Sequence, residues 1–159
     1  MEIEIHKLTH NDIDYFVKLI KVFEEVFEWE NFSFPTISHL QKLLNNDNLL
    51  IFIANKEKQL VGGLTAHVLD RYDSEKPTAY IYDLAVMLDQ QRKGIGKALV
   101  VALNDYCQKA DFNEVFVQAE TDDIQAVNFY RKTAITSELK ATHFTYSFDK
   151  DNLQTEQNK

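Results

Sequence analysis

Apolar residues recur along the first thirty positions in two rhythms. Ile3 and Ile5, with Leu8 after them, alternate with polar neighbours, as in a short half-buried strand. Ile13, Phe16, Val17, Ile20, Phe23 and Phe27 recur at helical steps, and Thr9 with Asp12 has capping-box spacing, so an amphipathic helix is predicted over residues 11–28. A second short helix fits residues 38–45, with Leu40, Leu43 and Leu44 as its stripe and Pro35 ahead of it. The runs NLLIFIAN (48–55) and LVGGLTAHVLD (60–70) flank the polar stretch Lys56-Glu57-Lys58-Gln59 and predict a β-hairpin. Gly62-Gly63 in its second arm implies a bulge or a close approach of backbone.

A third long strand is predicted over residues 78–88, followed by a Gly-rich turn and a helix over 94–110. Ile95, Ala98, Leu99, Ala102, Leu103 and Tyr106 form that helix's inward face. Next come a strand over 114–120, a helix over 123–132 and a last strand over 142–148, in which Phe144, Tyr146 and Phe148 alternate. A helix between the strands at 78–88 and 114–120 makes those two parallel, with a right-handed crossover. The order is β-α-α-β-β-β-α-β-α-β, a mixed central sheet flanked by helices in one α/β domain, residues 1–148. The polar tail from Asp149 to Lys159 has no periodicity and is expected to be frayed or disordered.

Charge narrows the partners. Lys plus Arg is 17 against 25 for Asp plus Glu, a formal net charge of −8, which argues against nucleic acid and anionic membrane and favours cationic partners. The N-terminus has no signal-peptide pattern and no apolar run reaches membrane-spanning length, so a soluble cytoplasmic protein is expected. Cys107 is the single cysteine, which rules out an intrachain disulfide, and the histidines show no metal-ligand spacing, so no metal is expected. In a helix interior Cys107 reads as a small hydrophobe and not as an acyl-carrying nucleophile.

Against this acidic background Gln91-Arg92-Lys93-Gly94-Ile95-Gly96-Lys97 reverses the sign. A Gly-rich turn leaving a strand and opening a helix presents unpaired backbone N–H groups at the positive helix end, which suits a pyrophosphate. No G-x-x-x-x-G-K-[ST] pattern is present, so a Walker-type nucleotide site is excluded.

The string YIYDLAV (80–86), the QRKGIG turn (91–96) and Asn128-Phe129-Tyr130-Arg131-Lys132 resemble the GCN5-related N-acetyltransferases, whose acetyl-CoA motif Q/R-x-x-G-x-G/A is met in full. With VQAE (117–120), DDIQAVNFY (122–130) and His143-Phe144, the chain is similar to the aminoglycoside 3-N-acetyltransferases of the gentamicin-resistance type. The resemblance implies a GNAT fold and direct acetyl transfer, in a ternary complex with acetyl-CoA, to an amino group of a polycationic aminoglycoside. Other acceptors stay open, namely another polyamine or a protein amine, and so does an acyl-CoA-binding sensor without catalysis. Such proteins often dimerise, and the aromatic last strand offers a surface for a homodimer.

The resemblance also assigns residues. The backbone of Leu84, Ala85 and Val86 is implied to pair with the pantetheine arm, and Tyr130 to give a proton to the departing thiolate. A cationic amine must lose a proton before attack, and Asp83 and Glu120 are the candidate bases and counter-ions. In strict alternation Asp83 shares a face with Ile81 and Ala85, and Glu120 falls at the carboxyl end of its strand. Asp122 and Asp123 are helix caps or substrate ligands, while His67 and His143 read as solvated strand histidines. Asp123 stands where the wider family often has Asn. Ala134 stands where it usually has Gly, so a turn normally made with positive φ must be built otherwise.

Overall fold

Strand β2 (Leu49–Lys56) is apolar on both faces, and a strand of that kind is stable only inside a sheet covered on both sides. It lies between β1 (Ile3–Lys7) and β3 (Gln59–Leu69), and the sheet continues through β4 (Thr78–Val86) to β5 (Glu114–Val117) in the order β1-β2-β3-β4-β5. The first three pairings are antiparallel and β4–β5 is parallel, as the intervening helix requires. The computed structural model describes residues 2–149.

Helices cover both faces. Helix α3 (Ile95–Lys109) packs Ile95, Leu99, Leu103 and Cys107 onto Phe52, Leu64, Ala66 and Ile81. On the opposite face α1 (Ile13–Val26) and α2 (Ile37–Leu44) bring Phe16, Leu19, Phe23 and Leu40 against Ile51 and Ile53. Helix α4 (Ile124–Arg131) lies beyond β5 in sequence and has no buried residue. No helix among the described residues is long and apolar enough to cross a membrane.

Local chemistry explains the boundaries. Thr36 caps α2 by accepting from the His39 N–H at 3.2 Å, and Asp123 caps α4 by accepting from the Ala126 N–H at 3.0 Å. Asp12 instead accepts from the backbone N–H of Thr9 at 2.7 Å, tying down the approach to α1 without capping it. The β2–β3 hairpin turns on Glu57 and Lys58, both at positive φ, as its two-residue loop requires. Gly62 and Gly63 are close-approach positions. A Cβ on Gly62 would lie 2.7 Å from the Ala85 carbonyl oxygen, and one on Gly63 would lie 2.5 Å from Leu19 Cδ1. The β2–β3 register also shifts beside them, between Ala54 and Asn55.

Three sequence expectations change. The strand expected over 114–120 ends at Val117 and the one over 78–88 at Val86, so Glu120 stands in the turn before α4 and not at a strand end. The strand expected over 142–148 does not form: these residues have no regular structure, and Phe144, Tyr146 and Phe148 are exposed. A strand needs a partner edge, and alternation alone does not supply one. The tail expected at 149–159 lies, apart from Asp149, outside the described residues.

Candidate active site

The site begins where β4 and β5 part. Their pairing runs from Thr78–Glu114 to Ile81–Val117 and stops, so from Tyr82 to Val86 the edge of β4 that faces β5 has no strand beside it. Leu84, Ala85 and Val86 lie along this opened edge, which can take an extended chain as an added strand. The Gln91 side chain donates to the Val86 carbonyl at 3.0 Å and pins the following turn against the strand end.

That turn holds Arg92 at φ 59° and Gly94 at φ 82°, and Gly94 is the N-cap of α3. Among the described residues, no protein acceptor takes the N–H groups of Arg92, Lys93, Gly94, Ile95, Gly96 and Lys97; the first bond of the helix is Ala98 N–H to the Gly94 carbonyl at 3.0 Å. A row of free donors at a positive helix end, with the exposed Arg92 and Lys97 beside it, is the arrangement a diphosphate needs. The Lys93 ammonium donates instead to the Asp89 carbonyl at 2.8 Å and to Gln90 Oε1 at 3.2 Å. It braces the turn. The residues present therefore fit coenzyme A.

Helix α4 is seated on this turn through one close contact. A Cβ on Gly96 would stand 3.1 Å from Cε2 and Cζ of Phe129, and the Phe129 ring meets Tyr130 edge-on at 4.9 Å. Tyr130 is half-buried, and burial, followed by the charges of Asp123 and then Asp83, pushes its phenol up to about 12. Where Gly was expected after α4, the Thr133 hydroxyl donates to the Tyr130 carbonyl at 2.6 Å. Ala134 then needs no positive φ.

Asp83 reaches the site by an irregularity that strict alternation misses. The β3–β4 register shifts between Thr65 and Ala66, leaving Tyr82 without a cross-strand partner. Ile81 consequently packs under α3 while Ala85 packs under α1, so Asp83 does not share a face with both, as expected from alternation. It pairs in register with Thr65. Burial raises its carboxyl above the ordinary value, and the charge of His67 works in the opposite direction. His67, exposed on β3 as expected of a solvated strand histidine, thus stands near Asp83. Its ring stands edge-on to Tyr82 at 5.4 Å, and Tyr82 and Tyr80 extend this surface to a Tyr80–Phe116 stack at 4.8 Å. The sequence held no signal for this proximity, which comes from the register that sets His67 opposite Tyr80, two residues from Asp83's partner.

The structure therefore gathers Tyr130, Asp83 and Asp123 beside the Gly-rich turn, while Glu120 and Asp122 are exposed ahead of α4. His143 lies in the exposed C-terminal segment. No group of three or more His, Cys, Asp or Glu side chains that could hold a metal occurs among the described residues.

The profile of the acetyltransferase (GNAT) family matches residues 15–134. The chain is a member of that family. It is an acetyltransferase with the GNAT α/β fold. A solved aminoglycoside acetyltransferase, meta-AAC0020 from an uncultured soil metagenomic sample in complex with sisomicin, is 50% identical, with 92% of this chain and 97% of that chain covered and a TM-score of 0.91. The aminoglycoside acetyltransferase HMB0005, also from an uncultured soil metagenomic sample, is 29% identical over 92% of this chain and 100% of its own, with a TM-score of 0.83. The aminoglycoside N-acetyltransferase AAC(6')-Iy in complex with CoA shares the fold, with a TM-score of 0.74 at 15% identity and coverage of 93% and 96%. A comparison with curated proteins gives no match.

Proposed function

We propose that this GNAT enzyme transfers the acetyl group of acetyl-CoA directly to an amino group of an aminoglycoside, at the 3-amino position of the deoxystreptamine ring, within a ternary complex. The observation that carries the reading is the half-buried Asp83 beside Tyr130 and Asp123, at the mouth of the opened β4 edge. A polycationic acceptor is drawn to a chain of net charge −8, and its ammonium groups offset carboxylates that are otherwise held at a cost. The 50% identity to an acetyltransferase bound to sisomicin supports the acceptor class.

Acetyl-CoA supplies the activated thioester. The free backbone N–H groups of residues 92–97 and the edge at Leu84, Ala85 and Val86 would hold it, with a main-chain N–H near Val86 toward the thioester oxygen, while the Gln91 N–H is taken by the Leu88 carbonyl at 3.4 Å. Asp83 accepts the ammonium proton, its burial making it a better base than an exposed carboxylate. Glu120, Asp122 and Asp123 serve as counter-ions for the remaining ammonium groups. Tyr130 faces the leaving sulfur as a donor. Full transfer of its proton to a thiolate of pKa near ~8.5 would be uphill by roughly 5 kcal/mol, so its part is a hydrogen bond to the departing sulfur, whose proton comes from the attacking nitrogen as the tetrahedral intermediate collapses to amide and thiol. Cys107 is 2% exposed within the core and burial pushes its thiol up to about 11, which favours direct transfer over an acyl-enzyme.

The test is a thiol-release assay with gentamicin, sisomicin, a linear polyamine and a lysine peptide, with NMR of the product to locate the acetyl group. Turnover of a polyamine or peptide with none of any aminoglycoside rejects the acceptor. Acetyl-CoA binding without transfer to the whole panel makes the chain a sensor. Parallel double-reciprocal lines reject the ternary complex.

A further inference from the structure

Alternation along β3 turns Gly63, Thr65 and His67 toward the side of α1, where a Cβ on Gly63 would meet Leu19, while Leu64, Ala66 and Val68 pack under α3. Their register partners on β4, Ala85, Asp83 and Tyr80, face the same side. Tyr82, which has no partner, joins them: its ring stands at 85° to His67, 5.4 Å away, and at 88° to Tyr80, 6.2 Å away. Tyr80 in turn stacks on Phe116 at 4.8 Å. Regular alternation would send Tyr82 and Asp83 to opposite faces, and the extra residue sets them on one.

The strip from Asp83 to Phe116 is left out of the core on that side. The cluster beneath α1 and α2 reaches β4 only at Ala85 and takes in none of His67, Tyr80, Tyr82 and Phe116. Tyr82 is 62% exposed although two perpendicular rings hold it, and a ring fixed in advance loses little freedom when a ligand lands on it. Tyr82 is also the first residue beyond the last β4–β5 pair, Ile81–Val117, and Asp83 follows it, so the strip ends where the edge opens. It meets that split from the face opposite α3, the helix that the Gly-rich turn begins.

We propose that Tyr82, with His67, Tyr80 and Phe116 behind it, is a specificity platform for the acceptor: Tyr82 lies under the ring that carries the reacting amine, and the Tyr80–Phe116 stack under the next ring. The inference rests on the aminoglycoside reading above and adds where the remainder of the acceptor lies. An amino sugar is a disc with apolar C–H faces and a rim of hydroxyl and ammonium groups. Aromatic faces suit the disc, and cation–π attraction together with Asp83 suits the rim. A linear polyamine offers no disc, and an acyl chain or a purine offers no positive rim. The strip therefore selects ringed, cationic acceptors where net charge alone would accept any polyamine.

Two measurements on the full chain test it. In steady-state thiol release, Y82L is expected to raise the KM for sisomicin at least about fivefold, with kcat and the KM for acetyl-CoA little changed, and F116L to raise it by a smaller factor. Y82F keeps the ring and should restore the low KM. A sisomicin KM within about twofold of wild type in Y82L, a Y82F variant as weak as Y82L, or a KM for acetyl-CoA that rises in step overturns the platform and leaves the acceptor class standing. In saturation-transfer NMR with CoA present, irradiating the protein's aromatic protons should reach the ring C–H protons of sisomicin, and much less so in Y82L. Transfer that is absent, or equal in the two proteins, also overturns it. A wild-type chain that shows this transfer yet acetylates no aminoglycoside keeps the platform and loses the catalytic reading. Light scattering that finds a lower mass for Y82L than for wild type assigns the strip to a second copy and overturns the proposal.

Discussion

Adding one methyl at Gly96 tests how the Gly-rich turn and Tyr130, the proposed donor, are coupled. The new carbon would lie 3.1 Å from two atoms of the Phe129 ring and 3.7 Å from Leu84 Cδ2. Carbon pairs rest at ~3.5–4.0 Å, so the ring must retreat by about half an ångström or more. Overpacking of this kind costs about 1–3 kcal/mol, and the helix preference of Ala over Gly returns at most ~1 kcal/mol. Helix α4 has no buried residue and can yield, which places the result at the low end, a net loss of about 1 kcal/mol. For a chain of this size that is a fall of roughly 2–4 °C in Tm.

The effect on catalysis should be larger. Phe129 meets Tyr130 ring to ring at 4.9 Å, so a retreating Phe129 carries the phenol with it. Misplacement by an ångström removes about a hundredfold in rate, so half that distance predicts roughly a tenfold loss of kcat. Thermal melts and steady-state thiol release on G96A, F129L and the double variant separate the two routes. If the methyl acts through the ring, trimming Phe129 to Leu recovers part of the loss, with a coupling of at least ~1 kcal/mol. Should G96A keep kcat within twofold, or F129L leave its defect untouched, the contact does not position Tyr130.

Four further outcomes follow from the same geometry. Gly94 has φ 82° and no atom within 4 Å of a built Cβ, so G94A is limited by backbone strain alone: a loss of about 1–2 kcal/mol in a melt and a raised KM for acetyl-CoA, milder in G94N. Asp83 has a raised value in the folded protein, so its contribution to stability is complete below the unfolded value and lost as pH rises through the folded one; at neutral pH D83N should raise Tm while lowering kcat/KM by about a hundredfold or more. Cys107 and Tyr130 are raised from 9.0 and 10.0 to about 11 and about 12, so stability should decline between pH 9 and 12 in a pH series of melts. Native protein at pH 7.5 should give no fast Ellman reaction, and one equivalent of thiol on unfolding.

The parts legible in the sequence were those fixed by local rules. Helical spacing located α1, α2, α3 and α4 to within a few residues, because their apolar faces meet the sheet or a neighbour, and the Gly-rich turn announced itself because free N–H groups and φ 82° demand those residue types. What escaped depends on register. One unpaired residue, Tyr82, reverses the faces of β4, and with them the surroundings of Asp83 and the relevance of His67 across the strand. No count along a single strand contains that information. The expected last strand fails for the same reason on a larger scale. Its alternation is a sound strand signal, yet a strand exists only when an edge accepts it, and residues 142–148 pair with none.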